Sequence, residues 1–312
     1  LLRLNKVRVS DFFFWKGEKV MFTPDVDDLN NDKNSNTVSI TATHGLVFSP
    51  VPVLAEKDVV VFPTQRLGEG GSCVVYLGEY SGKRVAVKQL HQRYAARLED
   101  EAKMFRVANA ECVVPLRGIV PSRLQLVLDY GEATVADRMV EYCRDDNFIV
   151  LTVESVVKAM NSLHPLVHRD LKPENLVVFK GGREVKVCDL GISSFLVGEE
   201  EALGTFGYIP PEVLRGGRSS QASDVWAAGM ILSEMLSCRQ NGARKTPLEC
   251  YGVDEKKLAS SAAFRAEFGE WMTKGNNGIL VPDGFRDART KQLWHHIGEP
   301  CLAIESGDRP TW

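Results

Sequence analysis

Between His168 and Asn175 the chain places a carboxylate, an ammonium and an amide within one short loop, His168-Arg169-Asp170-Leu171-Lys172-Pro173-Glu174-Asn175. Asp170 can take a proton from a hydroxyl, Lys172 can neutralise a phosphate, and Asn175 can ligate a metal. Fourteen residues after Asn175 comes Asp189-Leu190-Gly191, a second carboxylate set in a turn. Upstream lies Gly68-Glu69-Gly70-Gly71-Ser72-Cys73-Val74-Val75, whose glycines let backbone amides approach phosphate oxygens with no Cβ in the way. A glycine-rich hairpin alone is often only a turn. Here it is followed by Val85-Ala86-Val87-Lys88, which carries a second ammonium.

These residues need elements to hold them. Val74–Leu77 and Arg84–Gln89 read as strands, with Tyr80-Ser81-Gly82-Lys83 as the turn between them. Ala95–Val107 has helical spacing, with Leu98, Ala102 and Phe105 on one face. Gly118–Val120 and Leu124–Leu128 are the next strands, and beyond Tyr130 the pattern turns helical at Val153–Leu163, Ser223–Ser237 and Lys291–Ile304. Residues 1–61 differ in character. They hold short β-type runs, Leu4–Val9 and Thr37–Thr41, around the polar stretch Asp25–Asn36, which reads as a loop. Phe12-Phe13-Phe14-Trp15 is too apolar to sit fully exposed, and is read as core packing of a small β-extension, with a docking surface for a partner as the alternative.

Composition narrows the classes. At 312 residues the chain can form two lobes around a sizeable core, and 44% hydrophobic with 25% charged residues is ordinary globular usage. A net charge of −3 leaves no electrostatic footprint for nucleic acid, and no run of 18 apolar residues spans a bilayer. Seven cysteines without a C-x-x-C pair suit the cytoplasm or another reducing compartment.

Together the motifs resemble the eukaryotic protein-kinase family, from about Phe62 to the last residue. The resemblance implies an α+β bilobal fold, with a β-rich N-lobe over 62–128, a helical C-lobe over 132–312, and residues 1–61 as an N-terminal extension. It implies ATP and Mg²⁺ as cofactors and protein hydroxyls as substrates. Kinases continue into a final helix where this chain stops at Trp312, so that end is expected to be truncated. The first residue is Leu1 rather than Met, so a native leader is expected to be missing, which leaves a secreted effector open.

Residue by residue, the resemblance implies that Lys88 contacts the α and β phosphates and is held by a helix glutamate. Glu99 and Glu101 are the candidates, and Glu101-Ala102-Lys103-Met104-Phe105 fits the family's E-x-x-x-L better, although its gap from Lys88 is short. Asp170 orients and deprotonates the acceptor hydroxyl, while Asn175 and Asp189 hold magnesium against the phosphates. Leu67, Gly68, Gly70 and Gly71 cover the phosphates, with Cys73 replacing the family's third glycine. Val75 and Ala86 sandwich the adenine from above and Leu176 from below. The linker Asp129-Tyr130-Gly131 offers N–H and C=O groups to the purine edge, Leu128 guards a back pocket, and Thr134 is a candidate ribose contact. Leu190 replaces the family's usual Phe and can still pack against His168, Phe105 and Leu116. Glu212 is expected to pair with Arg309, and Asp224 to bond backbone amides of the catalytic loop. His91 and His164 have no ligand-spaced partners and read as ordinary structural or surface residues.

Lys172, two residues past Asp170, marks serine/threonine specificity in the family, and Thr205 in Gly204-Thr205-Phe206-Gly207-Tyr208 supports it. The chain is therefore expected to be an active protein serine/threonine kinase, since Lys88, Asp170, Asn175 and Asp189 are all present. The alternatives are a nucleotide-binding pseudokinase scaffold, which degenerate motifs would favour, and a small-molecule kinase of related fold, which usually lacks the Leu171–Asn175 run. The ending Gly307-Asp308-Arg309-Pro310-Thr311-Trp312 is similar to the tyrosine-kinase-like group of serine/threonine kinases. A β-extension before the small lobe is similar, more weakly, to parasite rhoptry kinases. Arg169 marks kinases whose activation loop is ordered by an anion, and Glu201, four residues before Thr205, supplies a carboxylate for it.

Overall fold

The computed structural model describes residues 50–107, 111–164, 166–191, 204–251 and 288–311, with Arg3–Leu4, Val7–Arg8, Ser194–Phe195 and positions 263, 265 and 267–269. Phe12–Trp15, Asp25–Asn36, Thr37–Thr41 and Glu201 lie outside the described residues. The run read as Leu4–Val9 is two short antiparallel rungs, β1 (Arg3–Leu4) and β2 (Val7–Arg8), rather than one strand.

A five-stranded sheet forms the N-lobe from β3 (Val59–Glu69), β4 (Cys73–Tyr80), β5 (Lys83–Leu90), β6 (Leu116–Val120) and β7 (Gln125–Asp129), in the order β3-β4-β5-β7-β6. Every neighbouring pair is antiparallel. The β4–β5 hairpin closes through Ser81 and Gly82, both at positive φ, the geometry whose twist matches the flanking strands. The first strand starts at Val59, and Leu54 already donates to the Ile119 carbonyl at 2.8 Å, so residues before Phe62 also pack on this lobe.

The helix expected over Ala95–Val107 divides in two. A 3₁₀ segment, Gln92–Arg97, leads into α1 (Leu98–Val107), which buries Leu98, Ala102 and Phe105.

The C-lobe is helical. After β8 (Ala133–Thr134), α2 (Val135–Tyr142) precedes α3 (Asp146–Leu163), which starts seven residues before the expected Val153. The reason is local: the Asp145 side chain caps it, accepting from the Asn147 N–H at 2.9 Å. β9 (Leu166–Val167), β10 (Leu176–Phe179) and β11 (Glu184–Val187) frame the loops that carry Asp170 and Asp189. β12 (Ser194–Phe195) pairs back onto β9. The short helix α4 (Pro211–Leu214) leads to α5 (Gln221–Asn241), which runs through the lobe with nearly its whole length buried and overruns the expected Ser223–Ser237 at both ends. A Ser220–Ser223 capping box starts it and left-handed Gly242 stops it. α6 (Pro247–Tyr251) follows.

The single helix expected over Lys291–Ile304 is broken. Ala288–Leu293 is α-helical, Trp294–Gly298 is a π-turn, and Glu299–Cys301 is a last short turn. Pro300 has no N–H to continue the ladder, and the Trp294 ring packs so closely on Gly298 that an added Cβ would stand 2.5 Å from it.

Candidate active site

Asp170 sits among side chains of the C-lobe loops. Thr205 Oγ1 donates to its Oδ1 at 2.7 Å, and Lys172 Nζ donates to its Oδ2 at 2.8 Å and to Thr205 Oγ1 at 2.6 Å. The Asn175 amide donates to the Asp170 carbonyl at 2.8 Å and to Oδ2 at 3.1 Å, which leaves the amide oxygen as the atom Asn175 can turn to a cation. Thr205 is brought here by Gly204 at φ +121°, a conformation that L side chains rarely adopt. A Cβ there would lie 2.4 Å from the Arg169 carbonyl.

The loop is held from beneath. Asp224 on α5 accepts from the His168 N–H at 2.8 Å and the Arg169 N–H at 3.0 Å, as expected of it. Burial raises its carboxyl above the ordinary value, against the opposing pull of His168 and of these backbone bonds. The His168 ring bonds the Cys188 carbonyl through Nε2 at 3.1 Å and the Asp170 N–H through Nδ1 at 3.2 Å. A carbonyl can only accept, so the Nε2 atom that faces Cys188 carries a proton. Leu190 is buried in the same core cluster as Phe105 and Leu116, so the leucine fills its place.

Across the cleft, Lys88 Nζ lies 2.6 Å from Glu101 Oε1 and 2.6 Å from Asp189 Oδ1, with Lys88 and Glu101 both buried. Glu99 is exposed on α1, so the structure selects Glu101 as the partner. Burial opposes the Lys88 charge, but Asp189 and Glu101 outweigh it and hold the ammonium well above the ordinary lysine range. Burial likewise pushes the Asp189 carboxyl up, and Lys88 more than reverses this, leaving it below the ordinary value.

Val75, Ala86 and Leu128 are grouped on the sheet, with Val75 opposite Lys88 and Ala86 opposite Leu128, while Leu176 on β10 is fully buried. Leu67 is exposed at the end of β3. Added Cβ atoms at Gly68, Gly70 and Gly71 would meet nothing within 4 Å, and none of the three has positive φ, so neither crowding nor conformation within the chain demands glycine there. What remains is close approach from outside. Gly131 is different, since a Cβ would stand 2.1 Å from Val177, and its glycine serves packing.

Two expectations change in detail. The Asp129 N–H is taken by the Pro115 carbonyl at 3.0 Å and its carboxylate pairs with Arg117, so Asp129 has only its carbonyl for a purine edge. The donor role falls to the two residues that follow. Thr134, the candidate ribose contact, spends its hydroxyl in a capping box at the start of α2: Asp137 N–H donates to Oγ1 at 3.1 Å, and Oγ1 donates to Asp137 Oδ2 at 2.8 Å.

Glu212 and Arg309 form the expected pair, bidentate at 2.6 and 2.8 Å, with the Arg309 side chain fully buried over Trp226. Sequence reading missed a second cluster, in which Arg244 bonds Glu174 of the Asp170 loop and Glu234 of α5, and Tyr208 donates to Glu234. Glu174 was legible inside the loop motif. Its cation, 70 positions away, was not.

Residues 63–274 match the family model "Protein kinase domain". The chain belongs to the protein kinase family. It is 29% identical over 60% of its length to a mitogen-activated protein kinase kinase kinase of Drosophila melanogaster, covering 18% of that protein. It is 34% identical to stress-activated protein kinase alpha of Dictyostelium discoideum (60% of this chain, 32% of that protein) and 32% identical to serine/threonine-protein kinase CTR1 of Arabidopsis thaliana (59% and 25%). The chain thus spans a third or less of the length of each of these relatives. Among the described residues no helix is long and apolar enough to cross a membrane.

Proposed function

We propose that this chain is an active protein serine/threonine kinase in which Asp170 receives the proton of the acceptor hydroxyl. The observation that carries this is the triangle of Asp170, Lys172 and Thr205, every edge within 2.8 Å. An acceptor side chain arriving at Asp170 Oδ1 meets a carboxylate already oriented by Lys172, Thr205 and Asn175, so the geometry needs little reorganisation. Lys172 then stands beside any phosphoryl oxygen in line with that hydroxyl and offsets its charge.

The cleft fits Mg·ATP on the chemistry of its donors. Asn175 and Asp189 present hard oxygen atoms, and the open glycine loop admits phosphates to backbone amides. Among the described residues no three His, Cys, Asp or Glu side chains form a metal cage, so an ion here would complete its shell with nucleotide oxygens and water. When bound, magnesium supplies charge neutralisation at the phosphates. Lys88, locked by Glu101, is set to hold the α and β phosphates, and Val75, Ala86 and Leu176 to clamp the purine. The serine/threonine preference follows from Lys172 and Thr205 walling the acceptor site.

The test is radiolabelled phosphate transfer from ATP to a degenerate peptide array, with phosphoamino-acid analysis and Lys88→Met as control. Label on serine and threonine that vanishes in the control supports the reading. Tyrosine label alone, or label that survives in Lys88→Met, ends it.

A further inference from the structure

The tip of the glycine loop is tied to the segment that leads into α1. Arg93 Nη2 donates to the Gly71 carbonyl at 2.7 Å, and the His91 N–H donates to the Ser72 carbonyl at 2.9 Å. The Gly70 N–H closes the loop on the Cys73 carbonyl, also at 2.9 Å. Two successive carbonyls of the loop are thereby turned toward His91–Arg93. The N–H groups of Gly71 and Ser72, in contrast, take part in no hydrogen bond among the described residues. In a planar trans peptide the C=O and the following N–H point in opposite directions, so the bond from Arg93 aims the Ser72 N–H away from the 3₁₀ segment.

Arg93 is itself held in place. The 3₁₀ turn Gln92–Arg97 fixes its backbone, with the Tyr94 N–H donating to the His91 carbonyl at 2.8 Å. Its guanidinium lies 5.0 Å from the centre of the Tyr94 ring, and that of Arg97 lies 5.2 Å from the same ring. The segment is short and anchored at both ends, by β5 with Lys88 and by α1 with Glu101. Arg93 is exposed, and the bond to Gly71 is its side chain's one hydrogen bond among the described residues. Its guanidinium therefore serves the loop rather than the core of the lobe.

We infer that Arg93 is a positioning residue for the nucleotide: by holding the Gly71 carbonyl it presets the Ser72 N–H for the phosphate oxygens that the glycine loop covers. The inference rests on the kinase reading for the ligand, Mg·ATP, and on Arg93, Gly71 and Ser72 for everything else. Glycines have the most backbone freedom to lose on binding, and a charge-assisted bond made before the ligand arrives removes part of that loss. Successive N–H groups bind an anion only when they are held facing it. Arg93 thus acts on the phosphates through the loop, and leaves the purine clamp of Val75, Ala86 and Leu176 untouched.

The experiment compares the 312-residue wild type with Arg93→Ala and Arg93→Lys, which an exposed position tolerates without loss of fold. Calorimetry reads the affinity for Mg·ATP and for adenosine, NMR relaxation reads the Gly71 and Ser72 amides without nucleotide, and steady-state kinetics reads phosphate transfer. Arg93→Ala should weaken Mg·ATP about tenfold and leave adenosine within about twofold of wild type. KM for ATP should rise by a similar factor while kcat falls less than about threefold, because bound phosphates order the loop themselves. The amide order parameters should drop from about 0.85, the rigid-backbone value, to below about 0.6. Loss of a surface charge alone would weaken Mg·ATP without loosening these amides. Arg93→Lys keeps a cationic donor on a less directed arm, and should bind Mg·ATP only about threefold more weakly than wild type. Equal losses for adenosine and Mg·ATP, an unchanged Mg·ATP affinity, or unchanged order parameters in Arg93→Ala would overturn the inference. The expected shifts without any phosphate transfer by wild type would overturn the kinase reading and leave the role of Arg93 standing.

Discussion

The Lys88 ammonium lies 2.6 Å from the Glu101 carboxylate although only thirteen residues separate them. The short gap is spanned because Gln92–Arg97 coils as a 3₁₀ segment directly into α1, whose first turn carries Glu101. Both side chains are nearly excluded from water, so each neutralises the other where neither could stand alone. Glu101→Gln keeps the shape and removes the charge. It should lower kcat/KM for ATP by about 10²-fold, the scale of losing one preorganised charged contact. Steady-state kinetics at varied ATP checks it, and a change under about threefold would show that Asp189 alone suffices to hold Lys88.

Asp189→Asn should abolish phosphate transfer while leaving the fold largely intact. Asp189 is half-exposed at the mouth of the cleft and carries no helix or strand, so its charge serves the site rather than the core. Transfer near the wild-type rate at saturating Mg·ATP would sink the assignment, with circular dichroism confirming that the variant is folded.

Glu212→Ala should destabilise the C-lobe by about 3–5 kcal/mol, because it strands the fully buried Arg309 guanidinium. Urea unfolding measures this. A loss under about 1 kcal/mol would place the pair among surface ion pairs in strength and contradict its burial.

Cys73 and Cys188 flank the Lys88–Asp189 contact, Cys73 on the strand that leaves the glycine loop and Cys188 immediately before Asp189. Burial pushes the Cys73 thiol above its ordinary 9.0, with Lys88 pulling weakly the other way, so little thiolate exists at neutral pH. Alkylation should therefore be slow at pH 7, keep rising as pH passes 9, and slow further when Mg·ATP covers the loop. Mass spectrometry follows each thiol, and equal rates with and without Mg·ATP would refute the shielding.

The unphosphorylated protein should already be active, on the expectation from the sequence that the Glu201 carboxylate stands in for a phosphothreonine. A carboxylate carries about one charge where phosphate carries nearly two, so the activity expected from it is below that of a phosphorylated loop. After phosphatase treatment confirmed by intact mass, substantial activity that drops in Glu201→Ala is expected. An inactive dephosphorylated enzyme would end the idea.

The sequence alone determined the contiguous chemistry. Asp170, Lys172 and Asn175 share one short loop, and the backbone fixes their mutual reach once its ends are anchored. Glu101 over Glu99 was legible because Glu101-Ala102-Lys103-Met104-Phe105 fits the family's E-x-x-x-L better, and the fold agrees by burying Glu101 and leaving Glu99 exposed. The hairpin between β4 and β5 was legible because Ser81-Gly82 tolerates positive φ. Only the tertiary structure decided contacts whose partners are far apart in the chain. It gave the Asp129 N–H to Pro115 and broke the last helix where Trp294 meets Gly298 ahead of Pro300. It also brought Arg244 to Glu174 and Glu234. Charge type is written in the sequence, but a pairing between buried charges is settled by which partner the fold carries within hydrogen-bond reach once water is excluded, and that depends on the packing of the whole lobe.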